Sequence, residues 1–288
     1  MFQAKFLPTL RSLLVNPDVP IIHRDMSWLQ FNERVLAECR HSANPLLERA
    51  KFLSITASNI DEFFMIRVSS LSRSIVQLMK ANDEVKIRRM RKIRSSILES
   101  VAKFVAKQVE ALDLLTEELQ ASGIRVIRQP VKEDPAYAIG ADIFQTHIFS
   151  RLAPPELFSS TQLSLLENLQ LAVIYKGGFI FRISKSIPNA FVGKDEASGE
   201  QLIFFLDDLL ATHLGPAFRF ETAPGFLRVT RDGDFTVDLE EEDTESVPDI
   251  VRSSVKTRER GKPVRLQYIG DFADGLLDQC MRTLKLKQ

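Results

Sequence analysis

No apolar run in this chain approaches the 18 residues of a membrane-spanning helix, which excludes an ordinary transmembrane segment. The first 22 residues are mildly hydrophobic, but Pro8, Arg11 and Pro17 interrupt them, so they lack the continuous core of a cleavable signal. Cysteine is nearly absent. Cys39 and Cys280 match no metal-ligand spacing, and Cys39 falls on the apolar face of an expected helix, so a buried, reduced thiol is expected. Charge of one sign is not in excess, since Lys+Arg and Asp+Glu both total 38. No global field therefore draws the chain to nucleic acid, and partners must be read from local patches. There is no Gly-x-x-x-x-Gly-Lys-Ser/Thr loop, no His-Glu-x-x-His and no Gly-x-Ser-x-Gly. The four histidines, His23, His41, His147 and His213, are followed two positions on by Asp25, Ala43, Phe149 and Gly215, so none forms a His-x-Lys pair. These absences leave a soluble chain, expected in the cytoplasm, with no recognisable nucleophile and no metal set.

What is present is organised around residues 24–67. Ser27 and Gln30 have the spacing of a capping box. Asn44-Pro45 reads as a cap followed by proline at the first helical position, where its missing N–H costs nothing. Asn59 and Glu62 repeat the cap-then-acid spacing before an apolar run. Three helix starts are therefore expected within about 35 residues. The first helix would bury Phe31, Val35, Leu36 and Cys39, and the second Leu46, Leu47, Ala50 and Leu53. The third would bury Phe64, Val68, Leu71, Ile75 and Leu78. Over 83–120, Met90, Ile93, Ile97, Val101, Phe104, Val105, Leu112, Leu115 and Leu119 recur mostly at threes and fours, predicting one long helix antiparallel to the third. Gly123 closes it as a left-handed cap.

After Gly123 the period shifts toward two. Strands are expected at 124–127, 171–175, 179–183, 202–206, 227–230 and 263–269. Lys176-Gly177-Gly178 forms a tight hairpin, and Asp232-Gly233 a second turn. Helices are expected after Asp207-Asp208, over 240–260 and over 272–284. Such a mixture is α+β with a mostly antiparallel sheet. At 288 residues the chain accommodates two ordinary domains: a flexible arm over 1–22 with a short helix near 9–15, a helical domain over 23–123, and an α+β head domain over 124–288.

The strings Ser27-Trp28-Leu29-Gln30-Phe31-Asn32-Glu33-Arg34-Val35-Leu36, Asn44-Pro45-Leu46-Leu47-Glu48-Arg49 and Ser58-Asn59-Ile60-Asp61-Glu62-Phe63-Phe64 resemble the amino-terminal domain of the long, histidine-phosphorylated type of polyphosphate kinase. Phe226-Leu227-Arg228-Val229-Thr230-Arg231-Asp232-Gly233-Asp234 and Lys262-Pro263-Val264-Arg265-Leu266 resemble strands of that family's middle, or head, domain. The pattern is poorly kept over 129–167. The resemblance implies transfer of the ATP γ-phosphate to a growing polyphosphate chain, with magnesium. It also implies that the phosphorylated histidine and most phosphate contacts lie in carboxy-terminal domains that would follow this chain. It implies a homodimer formed in part by the head domain. This chain alone is then expected to be inactive. Two alternatives are a stand-alone binding or scaffold protein and a subunit working in trans with a separate catalytic half.

Asn59 is the one site residue the resemblance designates, as a contact to the adenosine end of ATP, and an amide suits a base edge because it both donates and accepts. It also reads as a plain helix cap, and the two uses are compatible. Asp61 and Glu62 read as first-turn acids favoured by the helix dipole, with metal binding as the sharper alternative; Arg67 lies beside them, and Arg34 and Glu38 as a surface pair. Lys86, Arg88, Arg89, Arg91, Lys92 and Arg94 form a basic run that suits either polyphosphate or an ordinary solvated helix face; no nucleic-acid partner is expected. The acids of 238–243 read as solvated surface.

Overall fold

The computed structural model describes residues 23–233, 261–270 and 272–286. The expected arm, the helix expected over 240–260 and the acidic cluster lie outside the described residues.

No glycine or proline occurs between Pro45 and Gly123, so the stretch is free of the two strongest helix breakers. The chain accordingly builds α1 (Arg24–Arg40), α2 (Leu46–Phe63), a π-helical turn (Phe64–Val68), α3 (Ser69–Lys80) and α4 (Glu84–Ala121). From Leu46 to Lys80 the rod is unbroken, so Asn59 starts no helix. The spacing of Asn59 and Glu62 imitates a capping box inside a continuous helix. Ser27 likewise lies within α1, whose cap is His23, accepting from the Asp25 N–H. α2 begins one residue later than expected, with Pro45 at the cap position, and Asn44 instead donates to the Glu38 carbonyl at 2.9 Å, holding the end of α1. The reversal after α3 is made by Asn82 in the left-handed region (φ 53), a conformation asparagine tolerates. Asp83 caps α4, accepting from the Lys86 N–H.

The buried stripe of α1 is Leu29, Asn32, Leu36 and Cys39: Leu36 and Cys39 are buried as expected, Val35 is half-buried, and Leu29 and Asn32 take the place expected for Phe31. Asn32 is fully buried, and Phe31 is 48% exposed with the Arg34 guanidinium 5.5 Å from its ring, while the Glu38 carboxylate accepts from Asn44 Nδ2 at 3.0 Å. On α2, Leu47 is 63% exposed, and Arg49 takes the buried position with a bidentate pair to Glu118 at 2.5 and 2.7 Å. On α4, Val105 is exposed while Ile97, Val101, Phe104, Leu115 and Leu119 are buried. Trp28 stacks on Phe63 at 4.8 Å inside this core. Phe63 and Phe104 are each 1% exposed, and burial of such a side chain contributes roughly 1.5–3 kcal/mol.

Gly123, at φ +80, ends the helical part. Beyond it lie β1 (Ile124–Ile127), α5 (Pro135–Ile143) with a π turn (Phe144–Ile148) and a 3-10 turn (Phe149–Arg151), β2 (Glu156–Leu157), α6 (Ser160–Ser164), β3 (Leu171–Tyr175), β4 (Phe179–Arg182), β5 (Ala190–Lys194), β6 (Gln201–Phe205), α7 (Leu206–Phe218), β7 (Gly225–Arg231), β8 (Pro263–Gly270) and α8 (Leu276–Thr283). Two sheets form. The larger, β2-β4-β3-β7-β8, is antiparallel throughout; the smaller, β1-β6-β5, holds the parallel pair β1/β6. The fold is α+β with mostly antiparallel strands. Period-two alternation divides the large sheet. Val173, Tyr175 and Phe181 face a core shared with α5, α7 and the small sheet, while Ala172, Ile174, Ile180, Leu227 and Val229 face α6 and α8. That second core buries Cys280, whose thiol is pushed up to about 11; burial also raises Cys39, so both cysteines are buried, free thiols.

Candidate functional site at the joint of helix and sheet

α2 and the π turn that extends it are where the helical part meets the sheets. Asn59 lies in the second half of α2, half-buried. Its Nδ2 donates to Asn32 Oδ1 at 2.9 Å, and Asn32 Nδ2 donates to the Thr56 carbonyl at 3.3 Å. Thr56 Oγ1 donates to the Leu53 carbonyl at 2.7 Å and accepts from Gln108 Nε2 at 2.9 Å. Neutral amides and one hydroxyl thus tie α1, α2 and α4 together with no charge taken into the core, where an unpaired one would be costly. Asn59 Oδ1 accepts no hydrogen bond from the described residues.

At about 100° per residue, Asn59 sits on the shoulder of α2, between the buried Thr56–Ile60–Phe63 face and the face bearing Ser58, Asp61, Glu62 and Met65. That second face, with Ile66, Leu169 and Gly233, lines a half-open cleft of about 450 Å³.

Asp61 is turned to the sheets. Arg228 Nη2 donates to both of its oxygens at 2.9 Å, and Arg265 Nη2 donates to Oδ1. Arg265 is held from behind, its Nε on Thr230 Oγ1 at 3.1 Å and its guanidinium 4.2 Å from the Phe64 ring centroid. Burial pulls the Arg265 guanidinium below its usual range, against the opposite pull of Asp61. With two guanidinia on its carboxylate, Asp61 does not offer the free oxygens that a metal requires. Among the described residues, no three His, Cys, Asp or Glu side chains gather as ligands. Glu62 is exposed at the cleft, and the Arg67 Nε lies 3.9 Å from the buried Asp25.

The end of β7 closes the same joint. Gly233 N–H donates to the Met65 carbonyl of the π turn at 3.0 Å, and a Cβ there would lie 3.0 Å from Met65 Cε. Asp232 pairs with Arg73 of α3. Arg231, 5% exposed, spends its guanidinium on the carbonyls of Ser164, Leu166 and Gly261.

The histidines have local roles. His23 caps α1, His41 Nδ1 accepts from the Ala43 N–H, His147 stacks on Phe191, and His213 is buried beside Tyr137 and Phe144, which lowers its pKa. The basic run lies on the first turns of α4. Sequence reasoning assigned no role to Asn32, Arg228 or Arg265. The signal for Asn32 was its spacing with Leu29, Leu36 and Cys39; for the arginines it was their place in the two head-domain strings.

Comparison with known proteins follows this geometry. The model described as polyphosphate kinase N-terminal domain matches residues 21–127, and that described as polyphosphate kinase middle domain matches residues 138–288. Among curated relatives, a polyphosphate kinase of Erythrobacter litoralis is 29% identical over 93% of this chain and 38% of its own length. One of Lactiplantibacillus plantarum is 31% identical over 85% and 35%. The chain thus spans little more than a third of the curated relatives it matches. The crystal structure of polyphosphate kinase from Porphyromonas gingivalis shares the fold, with a TM-score of 0.65 and 22% identity over 94% of this chain and 38% of that one.

Proposed function

Because the chain belongs to the polyphosphate kinase family, in that family's amino-terminal and middle domains, we propose that it grips the adenosine end of ATP at the joint of helix and sheet. The observation that carries this reading is Asn59: a half-buried amide whose nitrogen is fixed by Asn32 and whose oxygen accepts nothing from the described residues, on the same helix as Ser58, Asp61 and Glu62 of the cleft wall. An amide held this way presents an acceptor to an amino group on a base edge with little ordering left to lose on binding. Glu62, exposed in the cleft wall, suits an uncharged base and ribose and repels phosphates, so the triphosphate would lead away from it toward parts of a longer polyphosphate kinase. Transfer of the γ-phosphate to polyphosphate belongs to that larger assembly; this chain binds and positions, in the cytoplasm, as a homodimer. Among the described residues no ligand set fits magnesium, and Asp61 is already neutralised by two arginines; when bound, the ion would neutralise phosphate oxygens.

Calorimetry with ATP on the full chain and on Asn59→Ala tests the reading. Loss of one base contact should weaken binding by roughly 3–10-fold, equivalent to about 0.5–1.5 kcal/mol. Equal affinity of the two proteins, or no binding by the wild type, would overturn it. A radiolabelled ATP-to-polyphosphate assay of the isolated chain should show no turnover.

A further inference from the structure

The two ends of α4 treat their charges differently. Over residues 95–121 the helix carries five acids and two lysines, and its charges are met from neighbouring helices: Lys107 by Glu33 at 2.7 Å, Glu110 by Arg40 at 2.7 Å and Glu118 by Arg49 at 2.5 Å. Over residues 83–94 it carries six cations and two acids, and among the described residues only Lys86 meets a carboxylate, Asp83 at 2.8 Å. Arg88 reaches no further than its own helix, at the Glu84 carbonyl, and Arg91 rests on Met79 Sδ at 3.9 Å. The Nε of Arg94 is buried without a hydrogen-bond partner.

Arg88, Arg89, Arg91 and Lys92 are all exposed, while Ile87 is buried and Met90 and Ile93 are partly buried. The buried stripe therefore accounts for the apolar residues of this segment but not for the sign of the rest. A merely solvated face interleaves both signs. Here Lys86/Arg89, Arg88/Arg91, Arg88/Lys92, Arg89/Lys92 and Arg91/Arg94 are like-charged neighbours at three or four residues, a spacing that destabilises a helix when the signs agree.

We infer that the exposed face of α4 bearing Arg88, Arg89, Arg91 and Lys92 is a docking strip for a linear inorganic phosphate polymer. The four residue steps from Arg88 to Lys92 cover about 6 Å of helix, along which neighbouring phosphates of an extended chain meet the four cations. Residues 84–96 contain no aromatic side chain on which a base would stack and no Asn or Gln to read a base edge. The chemistry therefore fits bare phosphate rather than nucleic acid. The choice of polyphosphate as the polyanion rests on the polyphosphate-kinase reading above; the strip itself is separate from Asn59 and its cleft.

The test is binding of fluorescently labelled inorganic polyphosphate of defined length to the full chain. The proteins compared are wild type, the strip variant R88Q/R89Q/R91Q/K92Q, and the charge-matched control K51Q/K103Q/K132Q/K194Q, with circular dichroism confirming equal helix content. The strip variant should bind at least tenfold more weakly and the control within twofold of wild type. With four phosphates neutralised, wild-type affinity should fall roughly 50-fold between 50 and 200 mM salt. Equal weakening in both variants would overturn the strip, as would displacement of polyphosphate by single-stranded RNA at equal phosphate concentration. ATP calorimetry on the same proteins separates the two proposals. ATP binding without polyphosphate binding removes the strip alone, polyphosphate binding without ATP binding removes the nucleotide reading alone, and absence of both removes both.

Discussion

Two faces of one helix, two residues apart, solve opposite problems. At Asn59, α2 turns inward and is joined to α1 and α4 by uncharged groups that satisfy one another. At Asp61 it turns outward and is joined to β7 and β8 by a carboxylate between two guanidinia. The first connection leaves an amide oxygen open beside a cleft. The second leaves nothing open. Polar residues that serve a ligand and polar residues that serve architecture look alike in a string of residues; the difference is whether the polar atoms are already spent.

The widest expected gap between the two faces comes from Asp61→Ala. Removing the carboxylate leaves Arg228 and Arg265 without their counter-charge, and breaking such a pair costs about 3–5 kcal/mol. Hydrogen exchange should show the loss in β7 and β8 while α1 and α4 keep their protection. Loosening of α1 and α4 first would break the comparison.

A carboxylate away from both faces sharpens it. Asp208 is buried in the first turn of α7, where desolvation and then the neighbouring Asp207 push its pKa to about 6, against the pull of Arg128. Below its unfolded value near 3.8 the group is neutral in both states and nothing is lost. As pH rises through 6 the folded protein must ionise it, and stability falls by up to about 3 kcal/mol. Urea midpoints of Asp208→Asn and wild type should therefore coincide near pH 3.5 and separate in favour of the variant by pH 7.5, independently of the joint.

Asn32→Ala should cost about 1–3 kcal/mol, because it strands the Asn59 nitrogen. The loss should appear in α1 and α2 rather than in the sheets. Asn59→Ala is expected to cost least, about 1 kcal/mol in the urea midpoint, since Asn32 keeps its bond to Thr56. An Asn59→Ala loss as large as that of Asp61→Ala would make Asn59 an architectural residue.

The long α4 could be read from its apolar period because nothing interrupts 38 residues of amphipathic helix. The break expected at Asn59 could not be refuted from spacing, since Asn followed by Glu three residues later has the same letters inside a helix as at its start. The residues around Asn59 include no glycine or proline, and there the helix runs on; at Asn82, also without either, it reverses. β3 and β4 were visible as short apolar runs, and β7 and β8 as stretches in which apolar and polar residues alternate. β5 was not, because its burial alternates between exposed and half-buried and its pairing with β6 is decided by the fold. α5 carried a readable start, Asp134 capping Ala136 with Pro135 at the first position. The partners of Asp61 were out of reach for a different reason. Arg228 and Arg265 lie 167 and 204 residues away along the chain, and no local pattern connects them.

The most direct measurement is a crystal structure of the full chain with a non-hydrolysable ATP analogue. The account predicts the base in the cleft bounded by Ser58, Glu62 and Met65, with an edge atom within hydrogen-bond distance of Asn59 Oδ1 and the Asn59–Asn32 bond intact. A base bound elsewhere, with that cleft empty, would contradict it.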